Sequence, residues 1–198
     1  MFSRKKFAQS VDHIIVGLGN PGSQYEQTRH NAGFIALDTL AQKLDVKVDR
    51  LKFKSLCGFA DYKDKKLLLI KPQTFMNLSG EAVVEAMNFY KLGAQDLTVI
   101  CDDVNFEVGR MRIRRKGSDG GQNGLKNIIY LTGHDDFSRI RIGIGKKPHP
   151  DYDLAKWVLS RFSQDEMKAV CDTAKKAADA ALMIALGETD KAMSRYNS

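Results

Sequence analysis

The chain has 198 residues, 43% apolar and 28% charged with only four prolines. That excludes a disordered or low-complexity protein and suits one domain burying about 70% of its unfolded surface. A net charge of +7 points to a polyanionic partner, nucleic acid first, while Cys57, Cys101 and Cys171 are scattered without metal spacing, as reduced thiols are. No segment approaches the roughly 18 apolar residues of a membrane span. The basic start, Phe2 to Ser10, leads into no signal-type apolar region, so a cytoplasmic protein is expected.

In chain order, Ile14 to Leu18 predicts a buried strand. It runs into Gly17-Leu18-Gly19-Asn20-Pro21-Gly22 and then Thr28-Arg29-His30-Asn31-Ala32-Gly33. The chain therefore turns at Asn-Pro-Gly and delivers His30 to the mouth of a helix over Asn31 to Leu44, at the sheet edge where α/β proteins build sites. The first stretch also spells the dinucleotide fingerprint GxGxxG, which needs its helix to open inside the motif. Here Pro21 biases Asn20 away from helical angles and Pro21-Gly22 favours a turn. The acidic residue wanted about 20 positions on falls, as Asp38, inside the helical pattern Phe34, Leu37, Leu40, Ala41 and Leu44. No nucleotide cofactor is expected.

Phe53 to Tyr62 and Lys66 to Lys71 read as a hairpin around Lys63-Asp64-Lys65. A helix over Ser79 to Leu92 buries Val83, Val84, Met87 and Tyr90 and stops at Gly93. Leu97 to Cys101 is a short apolar strand ending in Asp102-Asp103. Arg110, Arg112 and Arg114 alternate with Met111 and Ile113, which predicts a strand with one buried and one cationic face; Arg139-Ile140-Arg141-Ile142 repeats the pattern. Between these strands Gly120-Gly121-Gln122-Asn123-Gly124 opens a helix carrying Leu125, Ile128, Ile129 and Leu131. Lys146 to Asp151 is a polar loop, and the last helix starts at a capping box of Ser163 with Glu166 and ends at Gly187. The order predicts an α/β fold: a single domain with a mixed, mostly parallel β-sheet flanked by helices.

Four polar features thus sit at element ends: Asn20, His30, the segment Phe75-Met76-Asn77-Leu78-Ser79-Gly80, and Asp102; Asn123 adds a fifth in the glycine-rich turn. Each has a structural explanation when taken singly. His30 could support the first helix, Asn77 or Ser79 could be an N-cap, Asp102 could serve a turn and Asn123 could satisfy the glycine turn.

Together the motifs IIVGLGNPGSQYEQTRHNAGF, KPQTFMNLSG, the acidic pair after VIC, GSDGGQNGLKNI and FSRIRIGIGKKP resemble the bacterial-type peptidyl-tRNA hydrolases, in family order and over nearly the whole chain. The resemblance implies a domain over residues 1–198, with 1–10 as an N-terminal extension. It implies a monomeric enzyme, without metal or cofactor, that cleaves the ester between a peptide and the 3′ ribose of tRNA. By motif, His30 is its catalytic base, Asp102 the partner orienting it, and Asn20, Asn77 and Asn123 position substrate and water, with Tyr25 and Met76 lining the site. Arg112, Arg114, Lys126 and Arg141 occupy the places that grip the acceptor stem and 5′ phosphate.

The chemistry agrees with the residue types. Neutral imidazole is a base near pH 7, and an asparagine amide both donates and accepts. The first helix's N-terminal end disfavours imidazolium at His30 while Asp102 favours it. No Ser or Cys lies in a nucleophile motif, so direct attack by water is expected.

The chain departs from the family pattern at Gln122, where histidine is common, at Ser118-Asp119, and at Asn105. None of these is expected to touch the base or its partner. Two other classes stay open to the residues alone: a non-catalytic tRNA- or RNA-binding module, and a small-molecule α/β hydrolase whose basic faces serve solubility.

Overall fold

The computed structural model describes residues 10–197, so the proposed N-terminal extension, apart from Ser10, lies outside the described residues. Seven strands form one sheet in the order β2-β3-β4-β1-β5-β7-β6. In chain order these are β1 (His13–Gly17), β2 (Arg50–Lys52), β3 (Ser55–Tyr62), β4 (Lys65–Pro72), β5 (Leu97–Asp103), β6 (Met111–Arg114) and β7 (Ser138–Gly143). The central strands β4, β1, β5 and β7 are parallel, and antiparallel pairs close both sides.

Covered on both faces, β1 and β5 are buried along their whole length, which is why they read as apolar runs rather than alternations. Successive side chains nevertheless enter different cores. Ile15, Leu67 and Leu69 meet α1 (Ala32–Lys43) and the long α5 (Gln164–Ala185), whose small residues Ala174, Ala177 and Ala181 allow close packing. Ile14, Val16, Leu68 and Ile70 meet α2 (Ser79–Tyr90) and α3 (Asn123–Thr132) through Val83, Met87, Leu125 and Ile128.

Several boundaries differ from the sequence reading. The second helix ends at Tyr90 because Lys91, not Gly93, takes the left-handed conformation (φ 57°), and Gly93 is extended; Val84 and Tyr90 are only half-buried. The hairpin turns on Lys63-Asp64 alone, with Lys63 at φ 53° and Lys65 already paired to Tyr62. The short edge strand β2, the one-turn helix α4 (Leu154–Val158) and α6 (Thr189–Tyr196) carry too little apolar periodicity to be read in advance. The capping box at Ser163 and Glu166 is present as expected.

The second cationic strand face is not there. Arg139 is 1% exposed, because the loop of Gly117 and Ser118 folds over the sheet and offers its carbonyls to the guanidinium, joined by those of Asp135 and Phe137. β6 does keep one buried face, Met111 and Ile113, with Arg112 and Arg114 on the other.

The chain leaves β1 towards β4 and leaves β5 towards β7, so a crevice opens where these two strands end, the position at which open α/β sheets hold ligands. Its depth depends on glycine. Leu18 donates its N–H to Ile100 O (2.9 Å) and accepts from Phe34 N–H (3.1 Å), which draws the start of α1 onto the sheet backbone. A Cβ on Gly33 would lie 2.3 Å from Ile100 O and 2.5 Å from Leu18 N. Backbone cannot step aside as a flexible side chain can. Gly33→Ala should therefore cost about 1–3 kcal/mol, the usual penalty of overpacking. Urea unfolding checks this, and parental stability would show that α1 has room to spare.

Candidate active site

Each side of the crevice supplies one half of a buried pair. His30 lies in the 3-10 turn Arg29–Asn31 that precedes α1, and Asp102 is the penultimate residue of β5. His30 Nδ1 donates to Asp102 Oδ2 at 2.9 Å, with His30 8% and Asp102 3% exposed. The carboxylate fixes the tautomer and leaves Nε2 as the basic nitrogen. Burial pushes the imidazole pKa down, but the charge of Asp102 and its hydrogen bond push it up further, so it stands above the ordinary 6.5.

The asparagine between β1 and the Pro-Gly turn is locked as firmly. The Asn31 side chain accepts from Asn20 N–H (2.8 Å) and donates to Asn20 O (3.0 Å). Asn20 Oδ1 in turn accepts from the Met76 backbone N–H at 2.8 Å. This bond fixes the amide's orientation, so the end of the Asn20 side chain left to meet a ligand as donor is its NH₂ group. The sequence reading missed Asn31, which carries no signal beyond lying in the His30 motif.

The 3-10 turn Met76–Leu78 places Met76 inside and Asn77 at the surface, and Asn123 is the exposed first residue of α3. Tyr25 ends the 3-10 turn Ser23–Tyr25. All seven residues proposed for catalysis or substrate contact, namely Asn20, Tyr25, His30, Met76, Asn77, Asp102 and Asn123, line one cavity of about 710 Å³. Its apolar wall, Leu154, Val158 and Leu159, comes from α4 and the residue after it, a segment the sequence reading left without a role.

That wall is fastened to the turn carrying His30. The buried Arg29 donates to Ile144 O (2.8 Å), Ser160 Oγ (3.1 Å) and Glu166 Oε2 (2.8 Å), and its guanidinium lies 3.8 Å from the centre of the Trp157 ring. Every face of the cation is therefore used, in contacts that join the turn to α4 and α5.

Gln122 corrects the expectation that the family departures stay clear of the dyad. Its Nε2 donates to Asp102 Oδ1 at 3.0 Å, while Oε1 caps α3 by accepting from Leu125 N–H at 2.7 Å. Asn105, by contrast, donates from its backbone and side chain to Asp103.

The four basic residues do not form one group. Arg114 and Lys126 are exposed and Arg112 is half-buried, and none of the three borders the cavity. Arg141 does border it, but its Nε lies 2.9 Å from Asp103 Oδ2, an ion pair rather than a well-aligned hydrogen bond. Its charge is thus largely balanced inside the protein. Arg112 stands opposite Arg141 in the β6–β7 ladder, so Asp103 also relieves a repulsion between facing cations. Among the described residues no helix is long and apolar enough to cross a membrane.

Comparison with known proteins agrees with this arrangement. Residues 14–198 match the family model described as peptidyl-tRNA hydrolase. A peptidyl-tRNA hydrolase of Caldanaerobacter subterraneus is 53% identical over 185 residues, 93% of this chain and 99% of its own. One from Agathobacter rectalis is 53% identical over 186 residues, covering 93% and 100%. The crystal structure of peptidyl-tRNA hydrolase from Acinetobacter baumannii superposes with a TM-score of 0.88 at 31% identity, over 96% of this chain and 98% of that one. A uridine phosphorylase from Vibrio fischeri, at 9% identity and a TM-score of 0.55, shares the fold alone. With motif order, sheet topology and overall similarity in agreement, the chain belongs to the peptidyl-tRNA hydrolase family.

Proposed function

We propose that the crevice between β1 and β5 hydrolyses the ester joining a peptide to the 3′ ribose of tRNA, with His30 as general base. The observation that carries this reading is the buried His30–Asp102 pair in a cavity that also presents the Asn20 amide, oriented by its bond from Met76 N–H. Nε2 takes a proton from water as the water oxygen bonds to the ester carbonyl carbon. The carbonyl oxygen gains negative charge, which the Asn20 N–H groups are oriented to meet. Collapse of this intermediate breaks the bond to the ribose oxygen, and His30 returns its proton there. Free tRNA and a peptide carboxylate leave. Tyr25 supplies the only hydroxyl among the lining residues and none of them is Ser, Thr or Cys, which supports attack by water over a covalent intermediate.

Asn77 and Asn123, both exposed and both lining the cavity where the Met76–Leu78 turn packs against the start of α3, are suited to the peptide's amide and carbonyl, with the buried Met76 beside them. A module that merely held RNA would gain nothing from a base kept basic by a buried carboxylate. Arg112, Arg114 and Lys126 contact tRNA phosphates in the acceptor stem and at the 5′ end, outside the cavity, while Arg141 acts at the cavity wall with its charge shared with Asp103. The enzyme acts as a monomer, and translation supplies the substrate in the cytoplasm. The domain extends over residues 1–198, with 1–10 as an extension.

Release of tRNA from N-acetyl-aminoacyl-tRNA is the direct test. His30→Ala should lower turnover about 10²- to 10⁴-fold with little change in tRNA affinity, the increment of a general base. Wild-type turnover by the folded variant would remove His30 from the mechanism.

The pH profile checks the pair. The base works as neutral imidazole, so kcat/KM should climb with pH through a value above 6.5, the ordinary pKa that the fold raises. In Asp102→Asn the carboxylate's upward push is gone while burial still pushes down. The acid limb should therefore move to lower pH as the plateau falls; an unmoved limb would dissociate Asp102 from the titration.

Salt dependence separates the basic residues. Arg114→Ala should raise KM for tRNA-linked substrate and flatten the salt slope by about one unit. A minimal ester without the acceptor stem should be cleaved at the parental rate. Equal damage to both substrates would assign Arg114 to the fold.

A further inference from the structure

We infer that Gln122 is a positioning residue for this reaction: it holds the Asp102 carboxylate in register with His30 and ties the pair to the turn that carries Asn123. Asp102 has two oxygens and both are committed. Oδ2 accepts from His30 Nδ1 at 2.9 Å, and Oδ1 accepts from Gln122 Nε2 at 3.0 Å. Without the second bond the carboxylate could rotate about its own axis and spoil the first. Two bonds on different oxygens fix its plane, and with it the direction in which His30 presents Nε2.

The amide orientation is determined by its surroundings. Gln122 Oε1 receives the Leu125 N–H at 2.7 Å. A flipped amide would set its oxygen against the carboxylate and its NH₂ against an N–H, losing both bonds at once. Gln122 is 6% exposed, and its Nε2 also lies 3.1 Å from Met76 Sδ, which leaves it little other freedom. The result is a continuous line from the first turn of α3 through Gln122 and Asp102 to His30. Asn123 follows Gln122 directly, so a displacement of the rim at Asn123 is felt at the base. The remaining ionisable groups packed about this line are Asp103 with Arg141, Arg29 with Glu166, the Cys101 thiol, which burial pushes well above its usual range, and Tyr25 across the cavity.

Two substitutions separate this role from simple helix capping. Gln122→Glu keeps an oxygen for Leu125 N–H but replaces the donor facing Asp102 with a like charge. Gln122→Ala removes cap and donor together. The first readout is the His30 imidazole titration by NMR in the full chain, its signal distinguished from His13, His134 and His149 by its loss in His30→Ala. Gln122→Glu should move that titration upward by about one pH unit, because added negative charge favours imidazolium. A folded Gln122→Glu with the parental titration would reduce Gln122 to a cap and overturn the inference.

The second readout is turnover. Gln122→Ala should lower kcat about 10-fold with KM nearly unchanged, as loss of an outer-shell partner does. This arm decides the matter if Gln122→Glu does not fold, and full kcat in Gln122→Ala would then overturn the inference. Only the turnover arm rests on the proposed reaction. A wild-type chain inactive on N-acetyl-aminoacyl-tRNA would defeat that reaction, while the titration would still judge Gln122.

Discussion

The hydrogen bond between His30 and Asp102 is the constraint around which the rest is arranged, because it joins the two sides of the sheet's switch point. His30 reaches it only since Gly17 and Gly33 let the first turn of α1 press onto the β1 and β5 backbones. Asp102 reaches it because β5 stays buried to its last residue and so delivers a carboxylate away from bulk water. The pair also sets stability against function. An imidazole whose pKa is raised in the folded state adds its full stabilisation below the unfolded value of about 6.5, and loses it as pH rises through the folded value. In the proposed mechanism the base works in the neutral form, so turnover belongs to the pH range where this stabilisation has gone. The alanine-rich packing of α5 and the double-faced core must hold the site together without it.

Side-chain amides do the orienting throughout. Asn31 pins the Asn20 backbone from both sides, Asn20 pins Met76, and Gln122 pins Asp102. Asn31 and Gln122 engage both ends of the amide within the protein, and Asn20 engages its oxygen, which leaves its NH₂ as the end presented to the cavity. Hydroxyls would rotate, and charged groups would add terms competing with the one carboxylate that tunes His30. A neutral amide orients without retuning.

Much of this was legible in the sequence, and the reasons are specific. The apolar runs of β1 and β5, the periodicity of α1 and α5, and the capping box at Ser163 each reflect local chemistry that folding preserves. Asn20, His30, Asp102 and Asn123 stand out at the junctions between predicted elements, while Tyr25 and Met76 come only from the family resemblance, and all of them line one cavity. What was not legible depends on tertiary placement. Lys91 takes the left-handed cap that a glycine was expected to supply, and α4 is too short for periodicity to register. Gln122 looked like a harmless departure because its partner is 20 residues away in sequence and a sheet strand away in space.

Arginine shows why composition misjudges the binding surface. The alternation of arginine with apolar residues at 110–114 and 139–142 suggested two cationic strand faces, yet three arginines are largely spent inside the protein. Arg29 fastens the apolar wall through Glu166, Trp157 and two further acceptors; Arg139 is satisfied by loop carbonyls; Arg141 shares Asp103. Alternation in a strand records which side a residue faces, not whether a loop will later cover that side. β6 escapes because it is an edge strand, and α3 because its outer face meets no other layer. The surface left for phosphate is therefore narrower than the sequence implied, and it runs beside the cavity rather than into it. On the proposed function, an anionic acceptor stem held there would extend its uncharged ester towards His30 while its phosphates stay away from Asp102.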